Sequence, residues 1–331
     1  MVNSVKSLGA SLVSATGLHR VLHSRFHRHG LTIVMYHAVV REPLPVSDWC
    51  FLAEDSFQRQ IEYLSRHFSV VPMSSAVELL QKGRVDKPTA VITFDDGYQN
   101  NFDVAFPVLK KHGVPATIFL TTGFVDTADT IWFCHIIDAL SRTRKTSMRW
   151  ENAELDLSGS GAKANASARL QASIKEHPAA EIVSLLARIY AELAVDPVVE
   201  FGPESPFRIL NTGSIREMVQ SGLAEFGAHT VTHPILSSLS REQQSSEISG
   251  SADSVERLTG QPCRFFAYPN GRPQDYDSTT VEFLQKRRIA AAVTTTSGSN
   301  DGETAFLKLQ RYGVGANLGF PMFKLLVHHF W

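Results

Sequence analysis

Cysteine is scarce in this chain, and long apolar runs are missing. Its 331 residues include three cysteines, Cys50, Cys134 and Cys263, an odd and scattered set without metal-type spacing. That excludes a disulfide framework and points to free buried thiols in a reducing compartment, so a cytoplasmic location is expected. No run approaches the roughly twenty apolar residues of a membrane span. Leu8 to Leu18 is diluted by Ser11, Ser14 and Thr16, which makes a poor signal-peptide core; an amphipathic first helix suits it better. An excess of charge of one sign is also missing. The net charge of −1 gives no electrostatic case for nucleic acid. Only the stretch from His19 to His29 concentrates histidine and arginine. A solvated basic face is the ordinary reading of it, and peripheral contact with an acidic membrane surface or a glycan is the alternative. What is present is 43% hydrophobic and 20% charged, the composition of a globular protein with one large core or two modest ones.

Strand and helix signals alternate along most of the chain. Leu31 to Tyr36, Ala90 to Phe94, Ala116 to Thr121, Leu223 to Ala228, Arg264 to Tyr268, Ile289 to Thr296 and Phe306 to Val314 read as buried strands, with a short one at Ser69 to Val71. Four capping-box patterns announce helices between them: Asp55 to Gln58, Ser75 to Glu78, Ser214 to Glu217 and Ser240 to Gln243. Strands separated by helices of this length imply parallel βαβ units. Seven or eight of them fit a closed or nearly closed α/β barrel better than an open doubly wound sheet. From about Thr127 to Pro206 the rhythm breaks. Met148 to Leu157 alternates like an exposed hairpin, Ser158 to Ser167 looks like a flexible loop, and helical patterns follow at Arg169 to Glu176 and Ala179 to Leu193. We read 31–126 and 207–315 as the barrel, 127–206 as an insertion on the active-site side, 1–30 as an amphipathic and basic N-terminal segment, and 316–331 as a tail.

Two short runs carry chemistry. Thr93-Phe94-Asp95-Asp96-Gly97-Tyr98 puts two carboxylates at the carboxyl end of a buried strand, and His229-Thr230-Val231-Thr232-His233 puts two imidazoles at the end of another. Alone, Asp-Asp-Gly is ordinarily a turn and His-x-x-x-His a surface pair. Their shared position is what counts, because catalytic groups of α/β barrels gather at strand carboxyl ends. Two imidazoles and one carboxylate form the ligand set of an open hydrolytic metal site, and a second carboxylate suits the base that such a site needs.

In this order and spacing, the two runs resemble the polysaccharide deacetylase family, carbohydrate esterase family 4. A third family motif, Arg-x-Pro-Tyr-Gly, is partly kept as Ala267-Tyr268-Pro269-Asn270-Gly271. The opening Met35-Tyr36-His37 resembles members acting on bacterial exopolysaccharides and poly-N-acetylglucosamine. The resemblance implies a distorted (β/α)7 barrel with a helical and hairpin insertion near the active-site mouth. It also implies one divalent cation, with Zn2+ the expected ion, and an acetylated carbohydrate substrate. It makes Asp95 the general base, Asp96, His229 and His233 the metal ligands, and the backbone N–H of Asn270 the oxyanion donor.

The departures shape the remaining expectations. Ala267 stands where the family has the arginine that orients the base; Arg311 on the last strand is the candidate replacement, with a surface arginine the alternative. No Leu-x-His copy supplies a general acid. His328 and His329 lie too near the terminus, and His37 is the candidate, with a substrate-contact or core histidine the alternative. Tyr98 and Trp132 are candidates for stacking on sugar faces, and Asn100 and Asn101 for capping the next helix. The expected activity is removal of N-acetyl groups from an N-acetylhexosamine glycan or its precursor. O-acetyl or cyclic-amide hydrolysis at the same centre, or glycan binding without catalysis, are the alternatives.

Overall fold

A computed structural model describes residues 16–17, 30–198 and 200–330. The expected N-terminal helix and basic segment lie outside the described residues, apart from these few positions. Twelve strands follow in chain order: β1 (Leu31–Tyr36), β2 (Ala38–Val40), β3 (Phe51–Ala53), β4 (Ser69–Val70), β5 (Thr89–Phe94), β6 (Ala116–Leu120), β7 (Ser147–Trp150), β8 (Ala153–Asp156), β9 (Ala224–Ala228), β10 (Phe265–Ala267), β11 (Ala291–Val293) and β12 (Tyr312–Gly313). Ten α-helices accompany them among the described residues: α1 (Glu54–His67), α2 (Met73–Gln81), α3 (Phe106–His112), α4 (Trp132–Arg142), α5 (Ser160–Ile174), α6 (Ile182–Leu193), α7 (Thr212–Gln220), α8 (Arg241–Thr259), α9 (Ser278–Lys286) and α10 (Phe320–Val327). None of the described helices is long and apolar enough to cross a membrane.

The main sheet is parallel, in the order β11-β10-β9-β6-β5-β1-β12, with β4 pairing the outer end of β5. A parallel bridge between Val293 and Leu309 joins its two ends, so seven strands close into a distorted (β/α)7 barrel. Every residue of β1, β5 and β6 is buried, as expected of parallel strands covered on both faces. Ile33, Val91, Phe119, Phe265, Val293 and Leu309 share one cluster with Met73, Val77 and Leu80 of α2. Val34, Tyr36, Ile92, Phe94, Ile118 and Leu120 belong to another, with helix residues such as Phe57 and Ile61 of α1. The stretch read as a tail carries α10, whose Phe323 and Val327 join that larger core.

Between β6 and β9 the chain inserts α4, the β7–β8 hairpin, α5 and α6, which build a second core around Ile137, Trp150, Leu170 and Leu193. Two expectations there are corrected. The hairpin buries one face, through Met148, Trp150, Leu155 and Leu157. Most of Ser158 to Ser167 is helix rather than loop: five alanines favour α5, and Ala166, Leu170 and Ile174 give it a buried stripe.

Of the four expected capping boxes, only Ser240 with Gln243 forms. Helix α1 starts at Glu54 directly from the extended Ala53, α2 starts after Pro72, and α7 is capped by Asn211, whose side chain accepts from Ser214 N–H. Asn100 and Asn101 are not caps either. Asn100 accepts from Val39 N–H and donates to Pro206 O, while Asn101 donates to His37 O, so both tie loops to the end of β5.

Candidate active site

The two carboxylates reach one cavity because the backbone reverses hand between them. Asp95 N–H still donates to Tyr36 O at 2.9 Å, which continues the β5–β1 ladder. Asp96 then adopts φ +70° and Gly97 φ +77°. On an extended chain, neighbouring side chains face opposite ways; the left-handed step turns Asp96 to the same side as Asp95. Gly97 is required twice, since a Cβ there would also sit 2.7 Å from Leu120 Cδ2. Asp95 and Asp96 are both buried, and both line a cavity of about 390 Å³ at the carboxyl ends of the strands.

Arg311 reaches Asp95 from just before β12. Its two terminal nitrogens donate to the two carboxylate oxygens at 2.7 Å each, and Nε donates to Thr294 O at 2.8 Å. The guanidinium has no exposed surface. Burial alone would raise the Asp95 carboxyl, but Arg311, helped by His229 and His37, more than offsets it and holds the group well below the usual carboxylate range. Ala267, where the sequence motif lacks its arginine, instead offers its carbonyl to His229 Nδ1 at 2.7 Å.

That bond fixes the His229 ring with Nδ1 protonated and leaves Nε2 free for a ligand. His229 Nε2 and His233 Nε2 lie 3.5 and 3.4 Å from Asp96 Oδ1. Asp96, His229 and His233 form a cluster in which the potential ligand atoms all lie within 4.8 Å of one another. Neither oxygen of Asp96 accepts a hydrogen bond. A buried carboxylate without a donor is costly unless a cation meets it. Burial, and then the Asp95 charge, push the Asp96 carboxyl well up, and burial lowers both imidazoles, which favours their neutral, ligating form. Two ligand atoms each about 2.1 Å from a tetrahedral Zn2+ are about 3.4 Å apart, so the donor set fits such an ion.

The histidine run is a loop, not a helix, with Thr230 at φ +66° and His233 at φ +63°. One residue that sequence reasoning missed holds it. Glu247 of α8 accepts from Val231 N–H at 2.7 Å, Thr232 N–H at 3.0 Å and the Thr232 hydroxyl at 2.7 Å. Nothing in its local sequence distinguishes Glu247 from other acidic residues of an amphipathic helix.

His37, Trp132 and Asn270 also line the cavity. Burial lowers the His37 imidazole to about 4. Asn270 sits at φ +58° with its carbonyl held by the Thr295 hydroxyl at 2.6 Å, and its backbone N–H has no partner among the described residues. Tyr98 is not among the lining residues, which corrects its assignment as a sugar-stacking ring. It is fully buried in the insertion's core with its hydroxyl 3.3 Å from Cys134 Sγ, and from there it acts on the Asp96 carboxyl rather than on the cavity. Trp49 takes a place at the mouth that the sequence did not announce. It is 43% exposed and stands edge-on to His37, with ring centroids 4.8 Å apart. From the insertion, Phe133, Gln171 and Lys175 complete the wall.

The sequence profile described as polysaccharide deacetylase matches residues 82–158 and 187–292. The Bacillus subtilis protein YxkH is 21% identical over 295 residues, covering 88% of this chain and 74% of its own. The poly-beta-1,6-N-acetyl-D-glucosamine N-deacetylase of Staphylococcus epidermidis is 28% identical over 137 residues, which span 38% of this chain and 46% of the enzyme. Among solved structures, the deacetylase PplD of Streptococcus pyogenes superposes with a TM-score of 0.60 at 19% identity, covering 90% of this chain and 98% of its own. IcaB from Ammonifex degensii gives 0.58 at 21% identity, covering 90% and 97%. At this level of identity the superpositions establish a shared fold.

Proposed function

The chain belongs to the polysaccharide deacetylase family, and from that premise we propose that it is a metal-dependent hydrolase removing N-acetyl groups from a short or precursor N-acetylhexosamine glycan. The observation that carries this reading is the pairing of a buried ligand cluster with a separately ionised carboxylate. Asp96, His229 and His233 would hold one divalent cation, with Zn2+ favoured by two imidazoles and a carboxylate. When bound, the cation supplies Lewis-acid activation of water and of the acetyl carbonyl oxygen.

The chain's own residues do the rest. Asp95, kept ionised by Arg311, takes the proton from the attacking water. Arg311 also fixes the carboxylate plane, so little reorganisation is needed when the proton moves. The unpartnered N–H of Asn270 stands at the cavity edge as a donor to the developing oxyanion. Trp49 and Trp132 supply aromatic surface at the mouth for a sugar ring. A protein that only bound glycans would have no use for a base–arginine pair buried beside a ligand cluster.

The direct test is acetate release by the Zn2+-loaded protein from N-acetylglucosamine oligomers and from O-acetylated sugars of matched length. Release from the N-acetylated set supports the proposal. Release confined to the O-acetylated set makes the protein an esterase instead.

A further inference from the structure

Two separate pieces of chain meet at the mouth of the cavity, and one carboxylate joins them. His37 stands just before β2 and Trp49 just before β3, whereas Gln171 comes from α5 of the insertion; all three line the cavity. Asp48 does not line it, but lies between them. Its Oδ1 accepts from Cys50 N–H at 2.9 Å, and its carbonyl accepts from Phe51 N–H at 3.3 Å. The carboxylate thereby closes an Asx turn that puts Trp49 at its tip. Asp48 Oδ2 accepts from Gln171 Nε2 at 3.0 Å. An ionised carboxylate only accepts, so the amide nitrogen of Gln171 is the atom that faces it. The same Nε2 donates to the Ser167 hydroxyl at 3.1 Å, one turn earlier in α5.

The turn is held from two further sides. Cys50 O accepts at 3.0 Å from the N–H of Ala38, the residue after His37, and Trp49 O accepts from Ala316 N–H at 2.9 Å. Gly315 permits that approach, since a Cβ there would sit 2.5 Å from Trp49 O. The backbone under Trp49 is therefore fixed, while its half-exposed ring stands edge-on to His37. A fixed turn that presents an exposed ring toward a cavity is suited to seating the apolar face of a sugar.

We propose that Asp48 is a positioning residue for substrate. It locks Trp49 beside His37, the candidate proton donor, and ties that ring to the insertion through Gln171. A sugar seated on Trp49 is then held with its acetamido group at the ligand cluster. The insertion accordingly does more than wall the cavity, because it aims a ring that belongs to the barrel.

This inference rests on the N-deacetylase reading, and two substrates test the two separately. Wild type, Asp48→Ala, Gln171→Glu and the double variant Asp48→Asn with Gln171→Glu are each loaded with Zn2+. They are assayed on an N-acetylglucosamine oligomer and on p-nitrophenyl acetate, which has no sugar ring to seat. Asp48→Ala removes both acceptors, and Gln171→Glu sets two carboxylates face to face. Each should lose about 10- to 100-fold in kcat/KM on the oligomer, the scale of a small misplacement of the reacting group, while ester turnover holds. The double variant exchanges donor and acceptor, so the bond re-forms and most of the oligomer activity returns. Metal content measured on the same samples controls for folding; should Asp48→Ala fail that control, Gln171→Glu and its rescue decide alone. Equal loss on both substrates overturns the role, as does unchanged oligomer turnover in the single variants. A double variant no better than Gln171→Glu also overturns it, since the loss would then come from Gln171 itself. A wild type that cleaves the ester and no N-acetylated sugar rejects the N-deacetylase reading, and the seat for its sugar with it.

Discussion

Arg311 grips Asp95 through both carboxylate oxygens at 2.7 Å, across 216 positions of chain and with neither side chain reaching solvent. The pair sets both the ionisation and the aim of the base. Replacing Arg311 with methionine would leave a buried carboxylate without its partner, at a cost of about 3–5 kcal/mol. Thermal denaturation at neutral pH should show that loss. The pH dependence follows from the direction of the shift. An Asp carboxyl held below its unfolded value of about 3.9 stabilises the fold above that pH, and the contribution disappears as pH falls through the folded pKa. In Arg311→Met the main influence opposing burial is gone, Asp95 rises, and the acid limb of activity moves to higher pH. An acid limb that stays in place would show that Arg311 does not control the base.

Asp95→Asn should keep the fold and the cation while turnover falls by about 10²- to 10⁴-fold, the usual share of a general base. Metal content and kcat measured on the same preparation separate the two effects. Near-normal turnover would make Asp95 a structural residue.

The purified protein should carry about one divalent cation per chain, and Asp96→Ala with His229→Ala should carry none, since a single remaining imidazole is too few donors. Elemental analysis decides this. Full occupancy in the double variant would move the metal elsewhere.

Glu247→Gln should weaken metal binding without touching a ligand. Outer partners that orient first-contact ligands typically contribute about 10- to 100-fold in affinity, and Glu247 holds the two N–H groups between His229 and His233. Competition against a chromophoric chelator measures it; equal affinity would show that the loop keeps its shape unaided.

How much of this was legible in the sequence depended on how locally each feature is encoded. The buried strands were legible because a parallel strand covered on both faces is a continuous apolar run, as Leu31 to Tyr36 shows. The Asp-Asp-Gly and His-x-x-x-His runs were legible because their chemistry is packed into a few residues. Helix starts were less so: α1 and α2 begin straight from Ala53 and Pro72, without a side-chain cap to mark them. Tyr98 was misplaced because adjacency in sequence to Gly97 says nothing about direction after a left-handed turn. Trp49, Glu247 and Asp48 were invisible because their meaning comes from residues between 12 and more than 100 positions away, brought in by tertiary packing alone.

The insertion sets the last expectation. Trp132 and Phe133 at the start of α4, with Gln171 and Lys175 at the end of α5, form one wall of the cavity. They emerge after β6, at the barrel face where loops decide specificity. The wall is rigid, since α4 and α5 share a core with the β7–β8 hairpin and Trp150 Nε1 donates to the Ser173 hydroxyl at 3.0 Å. The middle of a long polymer needs a groove open at both ends, whereas a chain end or a small glycoconjugate can enter a walled cavity. Acetate release per acetyl group should therefore be faster from short N-acetylglucosamine oligomers than from soluble polymers of the same sugar. Trp132→Ala should raise KM for the oligomers more than it lowers kcat, because a stacking ring contributes mainly to ground-state binding. Faster turnover on the polymer would mean that the wall does not limit access, and the preference for short substrates would be wrong.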